Sequence, residues 1–159
     1  MKKEIKEFKG EYFFLSNFYE CEIICNDFPI PLLFHSSEAL FQALKCPARA
    51  NEFTKLNPNQ SKRFGRKVCL RSDWEDVKID IMKYVVDLKF SQNKDLKEKL
   101  LLTDNAYLEE GNTWGDVYWG TVNNSGQNML GKILMELREK YSKERNIMGI
   151  KENPIIFKN

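Results

Sequence analysis

The spacing of hydrophobic and polar positions changes rhythm along this chain, and each change predicts an element. Up to about residue 35 the apolar runs are short: EYFFL is β-prone, and CEIIC, the turn-like NDFP and PIPLLF predict a hairpin with a proline-marked edge. Beyond that point the signal turns helical. Ser36 or Ser37 can cap a helix over EALFQALK, and Pro47 stands where it should stop. Ser72-Asp73-Trp74-Glu75 fits a capping box, and Trp74, Val77, Ile81, Val85 and Leu88 recur at helical spacing, predicting a long amphipathic helix to about Phe90. A shorter helix over DLKEKLLL precedes the irregular stretch AYLEEGNTWGDVYWG. A last helix is predicted from about Gly126 to Ser142, on a stripe of Leu130, Ile133, Leu134, Leu137 and Tyr141. Residues 144–159 then form a tail whose end, NPIIFKN, reads as docked or frayed. The expected fold class is α+β, predominantly helical, with short N-terminal strands. With no repeat or linker, residues 1–159 read as one domain.

Composition narrows the function classes. Hydrophobic residues are 42% and charged residues 30% of the chain, ordinary globular usage that predicts a folded, soluble protein. No run approaches the roughly 18–20 apolar residues of a membrane span, and MKKEIKEFKG has no apolar stretch for a secretory signal, so the expected address is the cytoplasm. Cys21, Cys25, Cys46 and Cys69 form no CxxC pair and have one histidine, His35, to join them, which predicts reduced thiols rather than a metal site. A net charge of +2 is too small to make the whole molecule a nucleic-acid binder. Basic residues nevertheless cluster in SKRFGRKVCLR, either as a solvated helix face or as a phosphate-binding patch that includes Arg63 and Arg66.

Three features resist a purely structural account. On a helical wheel of about 100° per residue, Glu38, Gln42 and Lys45 share a narrow arc, while Ala39, Leu40, Ala43 and Leu44 cover the opposite side. From pattern alone that polar face reads as an ordinary solvated one with a ladder of side-chain pairs. In TWGDVYWG, Trp114 and Trp119 flank Asp116 within a turn-prone segment, so the indoles either enter the core or wall a pocket for a flat ligand. A carboxylate beside an indole feels desolvation that can tune it for acid/base work. Finally, the amides and glycine of NNSGQN, including Asn128, precede the last helix, where they could meet a phosphate or simply cap. Neither GxxxxGK[ST] nor GxGxxG occurs.

The order of FFLSNFY, SSEALFQALK, FGRKVCLRSDWEDVKIDIMKYVVDLKF, LLTDNAYLEE, GDVYWG and NMLGKILMELRE resembles the NADAR (YbiA-like) family from about Phe8 to Tyr141. The resemblance implies a mostly helical α+β domain with N-glycosidase activity, cutting a bond between ribose C1′ and nitrogen. It implies two substrate types: ADP-ribose attached to guanine in DNA or RNA, and phosphorylated ribosylamine intermediates of riboflavin biosynthesis. Of the family's Ser-Glu-His motif, Ser37 and Glu38 are present and Ala39 replaces the histidine. Gln42 and Lys45 match the rest of that helix, Trp74 the Asp-Trp pair, Asp116, Trp119 and Gly120 the Asp-x-x-Trp-Gly block, and Ser16, Asn17 and Phe18 the Ser-Asn-Phe block.

Cleavage of a ribose C1′–N bond passes through oxocarbenium character, so negative charge near the sugar and a proton for the leaving nitrogen are what an enzyme supplies. Glu38 and Asp116 are the carboxylates available, in unassigned order. Lys45 offers a second route as a neutral amine that attacks C1′ and forms a Schiff base, or else serves as a phosphate clamp. Trp74 and Trp119 are candidates for stacking on a base, and Asn17, Phe18, Gln42, Arg63, Arg66, Gly120 and Asn128 for further substrate contact. This chemistry needs no cofactor and no metal. The expected partner is the nucleotide-containing substrate alone, with no membrane and no obligate protein. The leading expectation is removal of ADP-ribose from guanine. Ribosylamine hydrolysis is the alternative, and a non-catalytic ADP-ribose or nucleotide-binding module a further one, which the Ala39 departure keeps open.

Overall fold

The protein, seen in a computed structural model, is described over residues 2–152. It opens with strand β1 (Glu4–Ile5) and a 3-10 turn over Gly10–Leu15. The hairpin follows: β2 (Glu20–Cys25) runs antiparallel to β3 (Leu32–Ser36), with Ile23 opposite Phe34 and Cys25 opposite Leu32. Side chains alternate across its faces, so Ile23, Cys25, Leu32 and Phe34 turn inward while Ile24, Leu33 and His35 turn out. Helix α1 (Ser37–Ala43) starts at once, because the Ser36 hydroxyl accepts the Ala39 N–H at 3.0 Å.

A 3-10 turn at Pro47–Arg49 leads to α2 (Ala50–Phe53) and α3 (Pro58–Gly65). The start of α3 is fixed by a reciprocal cap between Asn57 and Gln60, with proline in the first turn. Then come α4 (Trp74–Gln92), α5 (Lys94–Leu102), β4 (Tyr107–Leu108) and α6 (Met129–Glu152). Strand β4 pairs in parallel with β1, Glu4 opposite Tyr107. Helix α1 lies at the centre, packed on α2, α3, α4 and both hairpin strands, and α4 in turn carries β2, α5 and α6. The architecture is α+β and mostly helical.

Four local expectations are corrected. EYFFL is not a strand: Gly10 turns the chain at φ +58°, and the carbonyls of Phe14 and Ser16 both point at the Lys89 ammonium, at 2.6 and 2.8 Å. The Ser72 capping box does not form. Asp73 occupies the cap position without capping, because its carboxylate is taken by the Arg71 guanidinium at 2.6 and 3.0 Å. Helix α6 begins at Met129 rather than Gly126, since Gly126 (φ +150°) and Asn128 (φ +49°) lie outside helical geometry. It also runs on to Glu152, through part of the expected tail, while NPIIFKN lies outside the described residues.

Candidate active site

The polar arc of α1 does not face solvent. Glu38 and Gln42 are buried, and with Lys45 and Asp116 they line one cleft of about 960 Å³. The solvated face expected from pattern alone is thus overturned: the Ser16–Phe18 turn, α3 and the 110–119 loop wall the cleft over that face of α1. Asn17 fastens the helix in place, its main-chain oxygen accepting the Glu38 N–H at 3.1 Å and its side-chain oxygen the Ser37 hydroxyl at 2.9 Å.

Gln42 donates to Glu38 Oε1 at 2.8 Å, one turn along α1. Its own carbonyl lies against Gly65 of α3, where a Cβ would sit 2.0 Å from it, so glycine there lets the two helices close on the pair. Burial pushes the Glu38 carboxyl above its ordinary range, and the Gln42 hydrogen bond and the Lys62 and Lys45 charges oppose that push. Lys45 is half-buried, with its Nζ 5.5 Å from the centre of the Phe41 ring and 5.4 Å from that of Trp74. Burial lowers its pKa, Glu38 opposes the shift, and Arg66 and Lys62 add to it.

Asp116 is set by its own turn. Asn112 clamps its main chain, accepting the Asp116 N–H at 3.0 Å and donating to its carbonyl at 2.8 Å. One carboxylate oxygen, Oδ1, accepts the Tyr118 and Trp119 N–H groups at 3.1 and 2.9 Å. Trp119 stands edge-on to Phe41 at 5.5 Å and lines the cleft, so of the two readings of this segment the pocket wall applies to it. Trp114, 58% exposed, stands at the mouth, where Lys62 Nζ lies between its ring and that of Phe18 at 5.8 and 5.6 Å.

The structure brings Glu38, Lys45, Asp116, Asn17, Phe18, Gln42, Arg63, Arg66 and Trp119 to this cleft. It does not bring Trp74, Gly120 or Asn128 there. Trp74 is buried behind Phe41, 5.2 Å between ring centres. Asn128 is buried with its amide engaged internally, donating to the Leu108 carbonyl at 2.9 Å and accepting the Glu110 N–H at 3.0 Å. Gly120 packs so closely on Glu110 that a Cβ would meet the Glu110 carbonyl at 2.1 Å.

Glu110 itself is absent from the residues selected by sequence. It lines the cleft, and burial, reinforced by the Asp116 and Glu38 charges, pushes its carboxyl up to about 8. The one signal for it is the doubled glutamate of YLEEG, two carboxylates where an apolar strand leaves the core. Lys62 and Phe41 were visible as a basic residue and an apolar helix position, with nothing to mark them as cleft walls. All four cysteines are free thiols, and among the described residues no cluster of three or more His, Cys, Asp or Glu side chains suits a metal ion.

An aromatic-walled cleft holding three carboxylates and a depressed lysine, with cations on its rim, is equipped for acid/base chemistry on an anionic, ring-bearing ligand. Residues 5–142 match the NADAR domain, and the chain belongs to the NADAR family. It is 38% identical over 116 residues to the N-glycosidase YbiA of Escherichia coli strain K12, a match covering 69% of this chain and 72% of that protein. It is 35% identical over 133 residues to a riboflavin biosynthesis protein of Vibrio vulnificus, covering 80% of this chain and 35% of the Vibrio protein. The NMR structure of E. coli YbiA superimposes with a TM-score of 0.77 at 34% identity, over 91% of this chain and 89% of that one.

Proposed function

We propose that this protein is an N-glycosidase that hydrolyses a ribose C1′–N bond, and that its substrate is ADP-ribose linked to guanine in nucleic acid. The observation that carries the proposal is the convergence of Glu38, Glu110, Asp116 and Lys45 on one cleft, from segments far apart in sequence. The names of its relatives support the bond type. The rim supports the substrate: Lys62, Arg63 and Arg66 offer positive charge suited to a diphosphate, and Phe18 and Trp114 offer faces for a base. The carboxylates stabilise positive charge developing at C1′ and manage the protons of water and leaving group.

A second route to the same products passes through Lys45. Its depressed pKa and its freedom from any ion pair among the described residues favour a neutral amine able to attack C1′. Borohydride added during turnover traps that adduct if it forms, and leaves an active enzyme unmodified if water attacks directly. The riboflavin-named relatives favour a phosphorylated ribosylamine as the alternative substrate. Separate incubation with an ADP-ribosylated guanine oligonucleotide and with the ribosylamine decides between them. Tight binding without turnover of either would favour the non-catalytic module.

A further inference from the structure

We infer that Glu110 is the residue that delivers the proton to the departing nitrogen, and that Asn128, Asn112 and Gly120 are the positioning residues that hold it there. The inference rests on the N-glycosidase reading above. Its first support is an orphan: Glu110 Oε2 is buried, lines the cleft and has no hydrogen-bond partner. A buried carboxyl oxygen left unpaired is costly unless the group is neutral or a ligand meets it. By contrast, Glu38 is already engaged by Gln42, and Asp116 by two main-chain amides.

The second support is the care with which the main chain of Glu110 is fixed. Its N–H is taken by Asn128 Oδ1 at 3.0 Å, and its carbonyl by Thr121 N at 2.9 Å and more distantly by Asn112 Nδ2 at 3.4 Å. Gly120 admits that carbonyl where any Cβ would collide with it. Asn128 holds its place in left-handed geometry, φ +49°, directly before α6. Gly120 and Asn128, which the sequence marked as substrate contacts, therefore act through Glu110.

The charged groups facing Glu110 are Asp116 from the loop, Glu38 from α1 and Lys62 from α3. Burial and the two carboxylates keep its proton on, and Lys62 works against them. In the step proposed, the C1′–N bond breaks with its electron pair passing to nitrogen, and the Glu110 proton moves to that nitrogen. Water adds to C1′ and gives its proton to Asp116, from which it returns through solvent to Glu110. One water is consumed and both carboxyls end as they began.

The test compares wild type with Glu110→Gln on the ADP-ribosylated oligonucleotide and on the ribosylamine, across pH 5 to 10, with thermal midpoints over the same range. Glutamine keeps the shape and cannot give up a proton of this kind. The expected result is a wild-type kcat/KM that falls above about pH 8, and a Glu110→Gln rate at least 100-fold lower with that alkaline limb flattened. The glutamine variant should also melt higher than wild type, by a margin that widens from pH 5 to about pH 8 and then levels off, because over that window the unfolded Glu110 carboxyl ionises while the folded one keeps its proton. Asn128→Ala should lower kcat more than it raises KM and leave the alkaline limb in place. A glutamine variant that keeps the wild-type rate and limb overturns the inference and leaves the N-glycosidase reading standing. Wild type inactive on both substrates overturns that reading, and the inference with it.

Discussion

Two lysines in this molecule sit among aromatic rings in different regions, one with its hydrogen bonds made and one without. Lys89, on the core face of α4, is wholly buried and donates to the carbonyls of Phe14 and Ser16, with the rings of Phe90 and Tyr19 close by. Lys45, two residues past the end of α1 and lining the cleft, has rings beside it and no carbonyl or carboxylate bonded to it among the described residues. Burial lowers the pKa of both, that of Lys89 to about 8. Burial and aromatic company are therefore not the mark of a functional lysine. What distinguishes the lysine proposed to be functional is unused hydrogen-bonding capacity facing a cleft, and the same contrast separates Glu110 from the internally bonded Asn128.

The largest effect that would sharpen this contrast is on rate. Lys45→Ala and Glu38→Gln should each lower kcat/KM by roughly 100- to 10,000-fold. Neither should change stability much, because neither group closes a structural bond network of the Lys89 kind. Lys89→Met should do the reverse. It leaves two main-chain carbonyls without their donor and lowers stability by roughly 1–3 kcal/mol in urea unfolding, with kcat/KM changed only through looser placement of Asn17. Between pH 8 and 10.5 the unfolded lysine still holds its proton and the folded one does not. Raising pH through that window therefore favours the folded state, and the gap between wild type and Lys89→Met should widen by roughly 3 kcal/mol.

Next in size is Gly65→Ala. Its methyl group would lie on the Gln42 carbonyl, which can swing aside at little cost in stability but only by leaving Glu38. A 10-fold or larger loss of kcat with a nearly unchanged melting temperature is expected; a large fall in melting temperature with normal activity would mean that the helix contact, not the Glu38 pair, is what glycine serves. The smallest effect belongs to the rim. Arg63→Ala should raise KM a few-fold for the nucleic-acid substrate, more at low salt than at high, and leave kcat alone, since Arg63 is exposed and screened.

The helices with apolar stripes, α4 and α6, were legible in the chain, as were the short α5, the hairpin and the Ser36 cap, because each is set by local periodicity and capping chemistry. EYFFL was not, since its turn is imposed by a lysine far along the chain. The arc of Glu38, Gln42 and Lys45 was legible as an arc, but its burial depends on α3 and the 110–119 loop folding over it, which periodicity does not encode. Gly120 was marked by the family block and Asn128 by its place before the last helix, but what they serve, a close approach to the Glu110 carbonyl and a φ of +49°, is visible only in the structure. Glu110 carried no such mark, being a common residue made special only by its surroundings.

The most direct measurement is release of product from the ADP-ribosylated guanine oligonucleotide and from the phosphorylated ribosylamine by wild type and Glu38→Gln, with the thermal midpoint of each protein taken in the same buffer. The expected result is multiple turnover of the oligonucleotide by wild type and a loss of at least 100-fold in a Glu38→Gln protein that melts within a few degrees of it. No release from either substrate, or release indifferent to Glu38, would contradict the assignment of this cleft as an N-glycosidase active site.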